Sequence, residues 1–337
     1  MTDNHYDVIV IGGGAAGLSG ALTLARARRS VLVLDAGQPR NAPASGVHGL
    51  LTRDGIKPAE LLELGAAEVA RYGGRSLAAT VIAARRSTGS GSGTGSGFDT
   101  GSGFDTGSGF GFEVDTDDRR TFRARRLLVT TGLVDQLPDV AGLRERWGRD
   151  VLHCPYCHGW EVADQPIGVL GTGPLAVHQA LLFRQWSRDL ILFRHTAPAL
   201  SGEDRAKLAA LDVPVVDEPV GGLEITDDAL TGVRLVTGRV IPRRAVAVAS
   251  RLAAHGGFTA ELGLPVAEDP RGLGSYLVSG PSGRTEVPGI WVAGNVTDLT
   301  APVVGAAAGG VAAAMAINMD LITEDADRAG RRAGAHR

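Results

Sequence analysis

Asp7-Val8-Ile9-Val10-Ile11-Gly12-Gly13-Gly14-Ala15-Ala16-Gly17-Leu18 is the stretch whose reading decides the fold. Val8 to Ile11 show no polar alternation, so they read as a strand covered on both faces, as in a parallel sheet. A helical run from Leu18 to Arg28 follows, then a second strand, Ser30-Val31-Leu32-Val33-Leu34, which stops on Asp35. In Gly12-x-Gly14-x-x-Gly17 the three glycines serve in turn a tight turn, close approach of a pyrophosphate, and close packing of helix on strand. The helix start offers unpaired N–H groups to phosphate. Asp35 stands where a carboxylate bonds a ribose hydroxyl. The glycine pattern alone is weak; strand, glycine turn, helix, strand and acid in that order predict a dinucleotide-binding unit.

A second such unit begins at Ile167-Gly168-Val169-Leu170. Gly171-Thr172-Gly173-Pro174-Leu175-Ala176 is a GxGxxA turn, a helix is expected to about Trp186, and Leu190-Ile191-Leu192-Phe193 is the next strand. This strand ends on Arg194-His195 without an acid. A basic residue there suits the 2′-phosphate of NADPH; a solvated strand end explains it equally well. Pro174 makes this turn the poorer of the two.

Between the two units lies His153-Cys154-Pro155-Tyr156-Cys157-His158-Gly159, which holds the only two cysteines of the chain. A c-type haem site matches Cys-x-x-Cys-His formally, but its maturation normally follows export. The start of the chain has neither a basic segment nor a long apolar one, so export and a secretory signal are not expected. Zinc needs four ligands, and four drawn from six consecutive residues would strain the geometry. A redox-active dithiol is the reading that explains both the spacing and the place, and no metal is expected. Such a thiol at a helix start has a lowered pKa. His158 is a candidate base beside it; His48, a lone histidine, is as readily a structural hydrogen-bonder as a proton shuttle. Tyr156 and Trp160 either shape the opening over the dithiol or pack.

Composition agrees with a globular protein of two domains: 337 residues, 44% hydrophobic and 21% charged, with a formal net charge of -3. That charge gives no basic footprint for nucleic acid. No segment reaches the roughly 18 uninterrupted apolar residues of a membrane span, so a cytoplasmic protein is expected. The pattern also predicts a helix from about Pro58 to Tyr72, strands at Leu77–Arg85, Gly111–Thr116 and Leu127–Thr130, a strand at Gly289–Ala293, and a small-residue helix from Gly305 to Asn318. Residues 87–109 repeat Gly-Ser-Gly-Phe-Asp-Thr in tandem and read as a flexible insert. Residues 324–337 read as a frayed, disordered tail.

Taken together, Gly12-x-Gly14-x-x-Gly17 with Asp35, His48-Gly49 with Asp54-Gly55, Thr131-Gly132, the CxxC, Gly171-x-Gly173-x-x-Ala176 and Ala293-Gly294-Asn295 resemble the low-molecular-weight thioredoxin reductases and their relatives among flavin-dependent disulfide oxidoreductases. The resemblance spans nearly the whole chain apart from the insert and the tail. It implies an α/β protein of two Rossmann-like three-layer dinucleotide-binding domains, the second inserted in the first. The FAD domain would comprise 1–145 and 255–323, and an NAD(P)H-binding-like domain, 146–254, would carry the CxxC. It implies FAD, a homodimer, and FAD contacts from Gly12, Gly14, Ala15, Ala16, Gly17, Asp35, Ala36, His48, Thr131, Gly132, Gly294 and Asn295. Gly171, Gly173, Ala176 and Arg194 would be the contacts of NADPH, if it binds.

The chain departs from those reductases at several points. His158 replaces the acid that follows their second cysteine, Asn295 replaces an aspartate, Ala301-Pro302 replaces Arg-Gln, and only Arg194-His195 remains of the basic cluster that grips NADPH. A CxxCHG with a weakened NADPH site resembles the dithiol oxidases of the gliotoxin and holomycin type, the latter most closely. That resemblance implies Cys154 as the substrate-exchanging thiol, Cys157 as the flavin-side thiol, a small-molecule dithiol as substrate and O2 as electron acceptor. The alternatives are an NADPH-dependent reductase of a thioredoxin-like protein and a slow-turnover flavin redox sensor.

Overall fold

The computed structural model describes residues 4–87, 111–254 and 256–335. The opening stretch forms β1 (His5–Ile11), α1 (Ala15–Arg26) and β2 (Val31–Asp35). α2 (Pro58–Arg71) starts on a proline whose missing N–H costs a first-turn position nothing. Next come β3 (Arg75–Ala78), β4 (Val81–Arg86), β5 (Phe112–Thr116) and β6 (Thr121–Val129). These strands form a sheet in the order β3-β2-β1-β6-β5-β4. β1 pairs in parallel with β2 and β6, whereas β5 pairs antiparallel with β4 and β6.

Alternate residues of the parallel strands enter different cores, as the period of a strand requires. Ile9, Ile11, Leu32, Leu34, Leu127 and Val129 pack on one face. Val8, Val10, Val31, Val33 and Leu128 pack on the other, under α1. This two-sided burial is why the sequence shows no polar alternation there.

The chain leaves this sheet through β7 (Leu133–Gln136). It then forms β8 (Val151–Leu152), the single turn α3 (Pro155–His158), β9 (Ile167–Leu170), α4 (Ala176–Phe183) and β10 (Leu190–Phe193). α5 (Gly202–Ala210) is capped by Ser201, whose Oγ accepts from Asp204 N–H at 3.0 Å. β11 (Val215–Val216) precedes a three-stranded antiparallel unit, β12 (Val220–Thr226), β13 (Ala229–Leu235) and β14 (Val240–Pro242), and then comes β15 (Ala245–Val248). The second sheet runs β11-β10-β9-β15-β8, all parallel. Ile167 and Val169 pack under α4, while Leu170, Phe193 and Val248 face the antiparallel unit.

The chain returns through β16 (Arg251–Ala254), which pairs antiparallel with β7. After α6 (Phe258–Glu261), β17 (Val266–Glu268) and β18 (Ser275–Leu277), β19 (Ile290–Val292) joins the first sheet beside β6. The second Rossmann-like unit is thus inserted within the first, between β7 and β16.

Three expectations change. The single strand expected over Leu77–Arg85 breaks at Ala79-Thr80 into β3 and β4, because β3 runs parallel to β2 whereas β4 turns to pair antiparallel with β5. The small-residue helix is longer than expected, and residues 324–335 are not a frayed tail: α7 runs from Val303 to Ala335. Glu324 and Asp325 hold that extension by accepting ion pairs from Arg125, Arg126 and Arg29. The repeat insert lies outside the described residues except for Ser87, whose N–H donates to Gly111 O at 3.0 Å and draws the two ends together. By length and composition α7 could cross a membrane, but Ala306, Ala313, Ala314, Ile317 and Leu321 are buried. Ala313, Ala314, Ile317 and Leu321 complete the core under α1.

α7 crosses α1 at contact distance because glycines face it. A Cβ on Gly310 would lie 2.0 Å from Ala16 O, and one on Gly20 would lie 3.1 Å from Gly310 O. Gly310→Ala is expected to force the helices apart and cost about 1–3 kcal/mol. Thermal unfolding of the FAD-loaded protein checks this, and an unchanged midpoint would contradict the crossing.

Candidate functional site

The cradle between β1 and α1 is built around missing side chains. Gly12 has φ +108°, and a Cβ there would lie 2.4 Å from Thr130 O. A Cβ on Gly17 would lie 1.9 Å from Gly12 O, so any other residue would push helix from strand. Around Gly14 there is open space, and Gly14 caps α1 without any side-chain bond. Asp35 Oδ1 accepts from Gly13 N–H at 2.9 Å, and Ala36 beside it is exposed. Thr130, which the sequence did not single out, donates from Oγ1 to Ile11 O at 3.1 Å and Gly12 O at 2.8 Å. Beyond it, Thr131 leads to Gly132, whose φ is +70°.

The loop after β19 closes the far side. Gly294 has φ +81°, and a Cβ would lie 2.7 Å from the Cβ of Ala16, next to Ala15 at the start of α1. Asn295 spends its amide on its own loop, donating to Ala301 O at 2.9 Å and Asp298 O at 3.2 Å. These residues fit an FAD pyrophosphate: backbone bare at Gly14, an uncapped helix start and an acid at the end of β2.

The dithiol stands at the end of β8. Cys154 precedes α3, and Pro155 opens that turn. Both cysteines are free thiols and half-buried. The Cys154 pKa is lowered to about 6, first by a hydrogen bond from the Cys157 thiol, then by the backbone N–H groups of Cys157 and Tyr156 and the charge of Arg40, with burial acting against them. The Cys157 pKa moves up, because its thiol proton is held by Cys154 and because it is buried. One sulfur of the pair is therefore a thiolate near neutral pH and the other keeps its proton.

Arg40 reaches this centre from the turn after β2. Its Nε and Nη2 donate to both oxygens of Asp135 on β7, at 2.6 and 2.8 Å, and Ser250 Oγ donates to Asp135 Oδ1 at 2.5 Å. Burial opposes the Asp135 charge, but Arg40 and then Ser250 outweigh it and hold the carboxyl below its ordinary range. His153 lies close by; burial, then Arg40, pushes its pKa down.

His158 follows Cys157. Both of its ring nitrogens are buried, and neither has a hydrogen-bond partner among the described residues. Burial lowers its pKa, the Glu161 carboxylate opposes that, and His48 adds to it. His48 arrives from the loop after β2. Its Nε2 is 3.2 Å from Glu161 Oε1 and its Nδ1 is 3.4 Å from Asp54 Oδ2, while Gly49 N–H donates to Asp54 Oδ1 at 2.8 Å. Tyr156 and Trp160 are 71% and 81% exposed, so they are not core packing residues. Tyr156 stands edge-on to Trp186 at 5.7 Å. Gly159 makes room for that indole, since a Cβ would lie 2.8 Å from it.

The second glycine turn is similarly bare at Gly173, and a Cβ on Gly171 would lie 2.9 Å from Arg194 O and 3.1 Å from the Cβ of Ala176. α4 begins only at Ala176, after Pro174, which has no N–H. Arg194 is already engaged: Nε donates to Asp217 Oδ1 at 2.6 Å, and Nη1 to Ala197 O at 3.0 Å. Arg205 pairs with the same carboxylate at 3.4 Å.

Two glycine cradles, each at the end of parallel strands in its own sheet, with a CxxC turn at the edge of the second sheet, define a flavin-type disulfide oxidoreductase. The pyridine nucleotide-disulphide oxidoreductase family matches residues 6–314, and the chain belongs to it. The protein is accordingly an FAD-dependent enzyme. Its fold is similar to the crystal structure of HlmI, with a TM-score of 0.86, 44% identity and 98% and 96% of the two chains covered. It is also similar to an oxidoreductase from Agrobacterium tumefaciens, with a TM-score of 0.83, 33% identity and 95% and 99% covered. Among curated proteins, thioredoxin reductase sirT of Leptosphaeria maculans is 29% identical over 336 residues, covering 95% of each chain.

Sequence reading did not single out Arg40, Asp135, Ser250 or Glu161. Glu161 had a signal, being one turn past the CxxC; Arg40 had none, because its approach to the dithiol is wholly tertiary. Arg40→Met removes a charge that favours both thiolates, so the Cys154 titration should move up by about half a unit or more. The pH dependence of iodoacetamide alkylation of the reduced protein reads this, and an unmoved curve would contradict it.

Proposed function

We propose that this enzyme is an FAD-dependent dithiol oxidase that closes an intramolecular disulfide in a small molecule of the dithiolopyrrolone type, with O2 as final acceptor and H2O2 as its product. The observation that carries the choice is the state of Arg194. The basic residue best placed for a 2′-phosphate is held by Asp217 and a backbone carbonyl. Binding NADPH would require breaking that pairing.

The chain's own groups supply the exchange chemistry. With Cys154 and Cys157 joined as a disulfide, a substrate thiol gives its proton to His158, whose ring nitrogens have no hydrogen-bond partner among the described residues. The substrate sulfur bonds to Cys154 Sγ as the Cys154–Cys157 bond breaks, and Cys157 takes up a proton. The second substrate thiol, deprotonated in turn, then displaces Cys154. Cys154 is the better leaving sulfur because its thiolate is the stabilised one. The substrate has lost two electrons and two protons, and the enzyme disulfide has become a dithiol. FAD, when bound, supplies the two-electron acceptor that restores the enzyme disulfide and passes the electrons to O2.

In this reading, residues 1–145 and 255–323 serve FAD and residues 146–254 carry the dithiol, while the exposed Tyr156 and Trp160 border the substrate opening. The enzyme would work as a cytoplasmic homodimer, to which the exposed stripe Met315, Met319 and Ile322 on α7 lends support. The second reading, an NADPH-dependent reductase of a thioredoxin-like protein, draws on the name thioredoxin reductase carried by sirT and other relatives.

With dithiothreitol and no pyridine nucleotide, the FAD-loaded enzyme should consume O2 and release an equal amount of H2O2. Cys154→Ser and Cys157→Ser should each abolish this while FAD stays bound; full turnover by either variant would refute the exchange. His158→Ala should cost about 10²–10⁴-fold. Burial places the His158 titration below the ordinary value, so His158 still acts as a base in mild acid, and the deficit should be largest there. A loss independent of pH would remove His158 as the base.

A further inference from the structure

Glu161, His48 and Asp54 form a line of charged and titratable groups that the exchange chemistry does not use. Glu161 lies three residues after His158, in the 3-10 turn Trp160–Val162 that continues α3. Residues three apart in consecutive helical turns are neighbours, and the Glu161 carboxylate acts on the His158 ring. The other two residues come from the loop 46–56, whose Val47 and Ile56 pair antiparallel. That loop belongs to the chain around the first cradle, so the His48–Glu161 contact at 3.2 Å joins it to the dithiol turn. Gly46 makes room for it, since a Cβ there would lie 3.2 Å from His48 Nε2.

We propose that Asp54 and His48 brace Glu161 beside His158, and that Glu161 acts as a positioning residue stabilising the imidazolium formed when His158 takes the thiol proton. This rests on the reading of His158 as the base. Both His158 ring nitrogens are buried without a partner among the described residues, so a proton gained there creates a charge in a poorly solvated place, and a nearby carboxylate offsets that cost. Glu161 would otherwise be a half-exposed side chain with many rotamers. Its 3.2 Å contact with His48 Nε2 restricts them, and Asp54, held by the Gly49 N–H, restricts His48 in turn through the 3.4 Å contact at Nδ1.

The other groups around His158 do not replace Glu161. His48 carries no negative charge, and His153, at the end of β8, is held toward its neutral form by burial. Cys154 and Cys157 are consumed in the disulfide when the substrate proton is taken. Arg40 is cationic and is paired with Asp135. The proton is not retained: it returns to solvent or to reduced products within the cycle, so the brace alters no stoichiometry.

The test is anaerobic reduction of the bound flavin by dithiothreitol, followed at the flavin absorbance across the histidine titration range, for wild type, Glu161→Gln, Glu161→Asp, His48→Gln and His158→Ala. Loss of the Glu161 charge lowers the His158 pKa further. The acidic limb of Glu161→Gln should therefore move down by about half to one pH unit, and its plateau should fall about three- to tenfold because His158 becomes a weaker base. Glu161→Asp should keep most of the plateau, and His48→Gln, which frees Glu161 but also removes a group that lowers the His158 pKa, should lower the plateau by less than Glu161→Gln and leave the limb near its wild-type place. If Glu161→Gln loses FAD, Glu161→Asp and His48→Gln decide. A wild-type limb and plateau in the Glu161 and His48 variants, with His158→Ala altered, would overturn the brace alone. A wild-type profile in His158→Ala would overturn the base reading and the brace with it.

Discussion

A dithiol carried by one sheet has to be held against a nucleotide cradle carried by another, and Asp135, which accepts from Arg40 of the first unit and from Ser250 at the end of the second, is where the two are tied. Asp135 sits on the strand by which the chain leaves the first sheet, and Ser250, its other partner, immediately precedes the strand by which the chain returns. Arg40 follows the strand that supplies Asp35. Asp135 is only 8% exposed, and stranding such a carboxylate by removing its partner costs about 3–5 kcal/mol in buried settings; the partial exposure of Arg40 reduces that figure. The same guanidinium favours the thiolate forms of Cys154 and Cys157. One ion pair thus serves the joint between the units and the reactivity of the centre.

The parts of the fold legible in the sequence are those that depend on local pattern. Val8–Ile11, Val31–Leu34 and Ile167–Leu170 are buried on both faces, and their unbroken apolar runs follow from it. Gly12 and Gly17 are each required by an approach that no Cβ could survive, so the pattern was a reliable sign of the cradle. The break between β3 and β4 was not legible, because Ala79-Thr80 carries no turn signal and the change of partner is set by the rest of the sheet. Nor was the length of α7. Residues 324–335 look like solvated chain, yet Arg125, Arg126 and Arg29, all distant in sequence, hold Glu324 and Asp325 in a helix.

The candidate site divides in the same way. The dithiol and His158 stand out because spacing and chemistry are adjacent in the chain. The groups that tune them do not: Arg40 and His48 arrive from loops more than a hundred residues upstream. The second nucleotide turn shows what pattern cannot convey. Arg194 at the end of β10 reads from sequence as available to a phosphate, but Asp217 occupies it. In the function proposed above, that pairing with Asp217 is what weighs against NADPH as the electron donor.

The direction of electron entry is therefore the central claim, and rapid anaerobic mixing of the oxidised, FAD-loaded enzyme with either NADPH or a small dithiol tests it most directly. The flavin absorbance should bleach rapidly with the dithiol and slowly or not at all with NADPH. Rapid bleaching by NADPH, with Arg194 released from Asp217 to grip the 2′-phosphate, would contradict that direction.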